Sequence, residues 1–173
     1  MKNFLGWVKD ILIAVIIAAV ILVFLKPFVV KQQSMEPNFH EGDYLITSRQ
    51  AYNLFGDPER GDIIIFKSDL LDENEKPKYL IKRIIGLPGE EISIRDGNVF
   101  IDGEQIEEPY LTDYGISGEM EPVTIPEGQF FVMGDNRMAS EDSRSARVGT
   151  VEKERIMGKV VVRLFPFNKI STF

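Results

Sequence analysis

Tyr79-Leu80-Ile81-Lys82-Arg83-Ile84-Ile85-Gly86-Leu87-Pro88-Gly89 sets the architecture of the chain. Its first seven residues place apolar side chains, three of them isoleucine, around a single Lys-Arg pair, the composition of a buried strand. Leu87-Pro88-Gly89 closes it, because Pro followed by Gly suits the two central positions of a type II turn. Upstream, Asp62-Ile63-Ile64-Ile65-Phe66 repeats the pattern after a loop marked by Asp57-Pro58-Glu59-Arg60-Gly61. Shorter β-like runs stand at Phe28-Val29-Val30 and Asp43-Tyr44-Leu45-Ile46. Downstream, Asp96-Gly97 and Asp102-Gly103 each lie between short β-prone runs and predict two hairpins. Residues 108–122 read as an irregular excursion, Gln129–Met133 as a strand, and Ile156–Phe165 as a last strand pair or one long strand. The expectation is a mainly β body, an antiparallel sheet coiled into a barrel-like form.

The N-terminus breaks this pattern. Every residue from Ile11 to Leu25 is apolar, with Lys9-Asp10 before the run and Lys26-Pro27 after it. As a helix these 15 residues would span only ~22 Å, against a bilayer core about 30 Å thick. Adding Phe4, Leu5, Trp7 and Val8, with Lys9 and Lys26 reaching outward, makes a single transmembrane signal-anchor over residues 10–27 the favoured reading. It leaves residues 1–9 as a short cytoplasmic end and 28–173 as the extracytoplasmic body. A cleavable signal peptide fits less well, since Lys26-Pro27-Phe28-Val29-Val30 is not a small-x-small site. A buried core helix rarely lacks a polar face altogether.

Composition excludes several functions. There is no cysteine, so no disulfide framework, thiolate nucleophile or Cys-based metal site is available, and the single histidine, His40, rules out a multi-His metal site. The acidic Asp69–Glu75 segment lacks the alternating ligands of a calcium loop, and no metal or cofactor is expected. The net charge is -7; the first 31 residues carry +3 (four lysines against Asp10), so the remainder carries -10. So acidic a body is ill suited to nucleic acid, whereas the basic end suits an anionic phospholipid membrane surface.

Lys31-Gln32-Gln33-Ser34-Met35-Glu36-Pro37 follows the apolar run directly. A serine hydroxyl needs a base within hydrogen-bond reach to act as a nucleophile. His40 beside Glu41 and Asp43 lacks an obvious carboxylate partner for a triad. Lys82 is flanked by Leu80, Ile81, Ile84 and Ile85, so either strand face places it among apolar groups that would depress its pKa. On pattern alone it reads first as a strand-edge lysine snorkelling to water, and Ser34 as one serine among several. Arg83 cannot be a base, since a guanidinium stays protonated. Gly134-Asp135-Asn136-Arg137-Met138-Ala139-Ser140-Glu141-Asp142-Ser143-Arg144 is dense enough in donors and acceptors to tie down a site, with Asp142 and Arg144 placed for an ion pair, or to be a solvated turn. Arg60-Gly61-Asp62 is an integrin-type tripeptide whose place before an apolar strand argues against adhesion.

Taken in order, the apolar anchor, Ser34-Met35-Glu36-Pro37, Arg60-Gly61-Asp62, Lys82–Glu90 and the 134–144 loop resemble a type I signal peptidase of the short, single-anchor Gram-positive form. The likeness runs from the anchor through Glu108-Pro109-Tyr110-Leu111 to Pro166-Phe167-Asn168. The resemblance implies a membrane-anchored endopeptidase with a Ser34/Lys82 dyad, acting on secreted preproteins after small residues at the -1 and -3 positions. Ser140 matches the serine that orients the lysine, and Asp135, Asp142 and Arg144 match residues supporting the site. Met35 flanks the nucleophile, and the Ser34 backbone N–H is an oxyanion donor. The family fold is a mostly β core with a hydrophobic surface toward the membrane. The chain departs from the family at Asn38-Phe39, where Thr-Leu is usual, and at Met138-Ala139, where an asparagine often precedes the serine. Gln32 stands where some relatives carry a serine as second oxyanion donor. A self-cleaving repressor-type Ser/Lys protease shares the chemistry but is soluble, and an inactive anchored binding module for exported proteins would have no use for both Ser34 and Lys82.

Overall fold

The structure, a computed structural model, describes residues 2–48, 50–54, 56–111 and 119–173, and no side chain at 2, 3, 5, 17–23, 53 or 54. A helix α1 (Lys2–Phe24) leads into strands β1 (Leu25–Val29) and β2 (Tyr44–Ser48), a short helix α2 (Ala51–Leu54), and the long strands β3 (Ile63–Leu71) and β4 (Pro77–Gly86). Then come β5 (Glu91–Arg95), β6 (Asn98–Ile101), β7 (Glu104–Gln105), β8 (Met120–Thr124), β9 (Gln129–Met133), β10 (Val151–Glu152), β11 (Ile156–Phe165) and β12 (Ser171–Thr172). All pairings are antiparallel and form two sheets: β1-β2-β11-β3-β4-β9-β10, with β12 on β11, and β7-β6-β5-β8. The expected barrel-like closure is not what forms. Among the described residues, β1 and β10 stand at opposite ends of the larger sheet, and a second sheet replaces further curling.

Local chemistry explains most of the elements. Asp96-Gly97 and Asp102-Gly103 have positive φ at both positions (49° and 78°, 51° and 82°). That is the signature of type I′ turns, whose twist matches the flanking strands. They join Arg95 to Asn98 and Ile101 to Glu104 in register, so β5–β6–β7 is a pair of two-residue hairpins. At the end of β4 the Glu90 N–H reaches the Leu87 carbonyl across Pro88-Gly89, with Gly89 at φ 82°, as a type II turn requires. β4 lies between β3 and β9, and every residue from Leu80 to Gly86 is buried. Its isoleucines feed three apolar clusters: Ile81 joins Met35, Phe39 and Leu45, Ile84 joins Ile64, Phe66 and Val132, and Ile85 joins Ile92, Phe131 and Met133. The last of these welds the second sheet onto the first.

The helical N-terminus differs from its expected limits. It stops at Phe24, so the boundary expected at 27 falls inside β1. Lys26 precedes Pro27, which disfavours helical backbone, and the Lys26 carbonyl accepts from Thr47 Oγ1 at 3.1 Å on the neighbouring strand. All described side chains of α1 are exposed, Phe4 and Trp7 by more than 70%, which removes the buried-core alternative for that part. Among the described residues no helix is long and apolar enough to cross a membrane. The side chains at 17–23, central to the expected span, lie outside the described residues. So does 112–118 of the expected excursion, whose end is instead β8. Arg60-Gly61-Asp62 is structural: Arg60 pairs with Glu90, the Gly61 carbonyl accepts from Arg83 at 2.9 Å, and Asp62 binds Tyr52 (2.9 Å) and Lys159 (2.6 Å).

Candidate active site

Ser34 sits in the turn between β1 and β2. The side chains on either flank hold that turn: Met35 and Phe39 are wholly buried in the cluster with Leu45, Ile63 and Val160, and the Phe39 N–H reaches the Met35 carbonyl at 2.9 Å. Met35, expected beside the nucleophile, therefore points its side chain into the core. Lys82 lies mid-strand on β4, opposite Ile64 of β3. Only 1% of Lys82 and 4% of Ser34 is exposed, and Lys82 Nζ donates to Ser34 Oγ at 2.6 Å. Burial pushes the Lys82 ammonium down to about 8, against the opposing pull of the Asp142 and Asp135 carboxylates. A lysine so placed gives up its proton at a lower pH than an exposed one, and its partner is a hydroxyl.

The 134–144 loop, emerging from β9, closes over this pair. The Asn136 N–H binds the Ser34 carbonyl at 3.0 Å and Asn136 Nδ2 the Gln33 carbonyl at 3.2 Å. Gly134 permits the close fit: a Cβ there would lie 2.3 Å from both the Ser34 carbonyl oxygen and Ser140 Oγ. Ser140 Oγ is buried beside the Asp142 carboxylate, but it makes no hydrogen bond of regular geometry. The expected bond from Ser140 to Lys82 is thus not formed, and Lys82 is turned to Ser34 instead.

Asp142 and Arg144 form the anticipated ion pair in bidentate form, Nε to Oδ1 at 2.8 Å and Nη2 to Oδ2 at 3.0 Å. The Gly134 N–H adds a third bond to Asp142, at 3.0 Å. Burial works to raise the Asp142 carboxyl, but Arg144 outweighs it and holds the group below the ordinary carboxylate range. Asp135, fully buried, is the centre of a second network. It receives Arg83 Nε at 2.9 Å and Nη2 at 2.7 Å, and Asn38 Nδ2 at 2.8 Å. Asn38 also reaches the Tyr110 carbonyl at 2.8 Å, and the Arg83 guanidinium lies 3.9 Å over the Tyr110 ring. Buried Arg137 binds both oxygens of Glu108 and, through Nε, the Gly134 carbonyl at 2.9 Å.

The sequence reading did not assign Arg83, Asn38, Asn136, Arg137 or Glu108 to the site. For Arg83 a signal was present: on a strand, neighbours point to opposite faces, so a lysine turned one way leaves the arginine to serve the other. His40 is not a partner of Ser34; its backbone N–H binds Asp43. Gln32 is exposed and lines a groove of about 270 Å³ together with Phe28, Lys31, Leu80 and Ile81, residues that precede Ser34 and Lys82 in the chain; neither member of the pair lines it.

The chain is similar to known proteins. Residues 4–165 match the family described as signal peptidase, peptidase S26. Signal peptidase I of Bacillus licheniformis is 39% identical over 174 residues, 95% of this chain and 90% of its own length. Signal peptidase I T of Bacillus subtilis is 38% identical over 179 residues, 98% of this chain and 89% of its own. In structure the chain resembles a signal peptidase I from Enterococcus faecalis, with a TM-score of 0.50 at 32% identity over 60% of this chain and 96% of that one. By sequence match over nearly its whole length and by its antiparallel two-sheet fold, the chain belongs to the signal peptidase I family of peptidases.

Proposed function

We propose that this peptidase removes N-terminal signal peptides from secreted preproteins with Ser34 as nucleophile and Lys82 as general base. The observation that carries this is the 2.6 Å contact of Lys82 Nζ with Ser34 Oγ, both nearly free of water. In its neutral form Lys82 accepts the Ser34 proton as Oγ attacks the scissile carbonyl. The carbonyl π electrons move to oxygen, and the oxyanion is met by the Ser34 backbone N–H. Lys82, now charged, protonates the leaving amine as the C–N bond breaks, giving an acyl-enzyme and the free mature chain. Water, deprotonated by the same amine, then releases the signal peptide and restores Ser34. Ser140, whose buried hydroxyl lies beside the Asp142 carboxylate, is the acceptor assigned to a Lys82 N–H during these steps. Asp135, Asp142 and Arg144 position the loop. Gln32, at the rim of the groove, is the candidate second oxyanion donor.

The groove beside Phe28, Leu80 and Ile81 suits an extended acyl-side segment with small residues at -1 and -3. Helix α1, whose described side chains include exposed Phe4, Trp7, Ile11, Leu12 and Ile16, is assigned as the single-pass anchor that keeps the body on the extracytoplasmic face of the cell membrane. The test is cleavage of a preprotein whose signal ends Ala-x-Ala, in detergent–lipid micelles, by wild type, Ser34→Ala and Lys82→Met, with mass spectrometry of the product. Cleavage after the last alanine by wild type alone is expected. Activity surviving in Lys82→Met would move the base elsewhere, and an inert wild type would leave an anchored binding module.

A further inference from the structure

A second depression flanks the loop that covers the dyad. It is a cleft of about 440 Å³ between the second sheet (Ile94, Glu119, Met120) and the loop after β9 (Met138, Ser140, Glu141). It shares no lining residue with the groove that runs along Lys31, Gln32, Leu80 and Ile81. It meets the dyad through Ser140, which packs over Gly134 close to the Ser34 carbonyl. A peptide whose acyl half fills the first groove has to carry its leaving half elsewhere, and this cleft has Ser140, Asp142 and Arg144 of the loop over the dyad in its wall. Its wall charges are unequal. Arg137 spends its guanidinium on Glu108 and the Gly134 carbonyl, and Arg144 on Asp142 and the Arg137 carbonyl, while Asp142 is fully buried in its pair. Glu119 and Glu141 remain exposed; among the described residues Glu119 takes one backbone N–H from Asp96, and Glu141 pairs with the exposed Arg147 at 3.5 Å. Met138, 66% exposed, supplies an apolar lip.

We infer that this cleft holds the first residues of the mature chain, and that Glu119 and Glu141 make it selective for basic or neutral over acidic residues there. The inference rests on the peptidase reading above. The new N-terminus released by cleavage is itself an amine that gains a proton in water, so an acidic exit suits the product as well as the substrate.

The experiment offers the full-length enzyme two preproteins that differ only in Lys or Glu at the second mature position, in competition, with products quantified by mass spectrometry. Exchanging Lys for Glu opposite one exposed carboxylate changes kcat/KM by roughly threefold at low salt, so with two such carboxylates wild type should favour Lys about tenfold, with the preference fading as salt screens it. In Glu119→Lys combined with Glu141→Gln the ratio should fall to about one or invert. Because one enzyme sample cuts both substrates, partial misfolding or a changed Lys82 cancels from the ratio. Glu104→Lys, on β7 away from the cleft lining, should leave the ratio as in wild type; an equal effect there would overturn the local assignment, as would a ratio the double variant does not move. If wild type cleaves neither these substrates nor a neutral one, the peptidase reading falls and the cleft assignment with it.

Discussion

Replacing Lys82 with methionine is expected to abolish cleavage and yet stabilise the fold at neutral pH. The burial that holds the Lys82 amine at about 8, against 10.5 in the open chain, disfavours the folded state by about 3 kcal/mol wherever the lysine is charged in both states. Methionine fills a similar volume without the charge, and the lost hydrogen bond to Ser34 returns about 1 kcal/mol, leaving a net gain of about 2 kcal/mol. Its pH dependence is the distinguishing mark. Below about pH 8 the penalty is complete. Between about 8 and 10.5 the unfolded chain binds a proton that the folded one does not, so wild type gains stability as pH rises. Past that range the amine is neutral in both states and the gap closes. Denaturant titration of both full-length proteins in the same micelles, followed by far-UV circular dichroism at several pH values, measures it. A variant less stable than wild type at neutral pH, or a difference that ignores pH, would refute the claim that this lysine is buried at a cost, and with it the physical basis for a lysine base.

Other perturbations test the surroundings of the dyad. The rate constant kcat/KM should rise with pH through about 8, as the neutral amine forms; a profile peaking in the acid range would exclude Lys82 as base. Gly134→Ala places a methyl group 2.3 Å from the Ser34 carbonyl oxygen and from Ser140 Oγ, and the forced shift should cost on the order of 100-fold in kcat with circular dichroism unchanged. Asp135→Ala leaves Arg83 buried without its partner and should destabilise by about 3 kcal/mol, read by denaturant midpoint. Chelators should leave the rate as it is, and a loss of activity reversed by added metal would contradict the proposed chemistry.

The strands with long apolar runs and the two Asp-Gly hairpins were legible in the sequence, because burial and φ preference are properties of single residues and their neighbours. Sheet closure was not, since it depends on which edges meet, and β10 and β12, two residues each, are too short to show any period. The helix end was obscured for a related reason: apolar residues run unbroken across Phe24-Leu25, and only Pro27 hinted that the backbone changes there. In the site, Ser34, Lys82 and the 134–144 loop were visible as residues with motifs. In the sequence Arg83 shows only that it cannot be a base, whereas in the fold its charge serves Asp135. Asn38 was seen only as a departure from the family pattern, and its two hydrogen bonds depend on a tertiary approach that spacing does not reveal.

β4 and β9 are neighbours in the larger sheet, yet 42 residues of the second sheet and its connections separate them in the chain. The bonds that make the site are correspondingly distant: 48 residues between Ser34 and Lys82, 52 between Arg83 and Asp135, 103 between Gln33 and Asn136. Contacts so far apart form late, after the local hairpins have paid their entropy of closure. A chain that has formed its hairpins but not the larger sheet holds Ser34 and Lys82 without the buried corner that joins them. The 2.6 Å contact between the two side chains is thus a late product of folding.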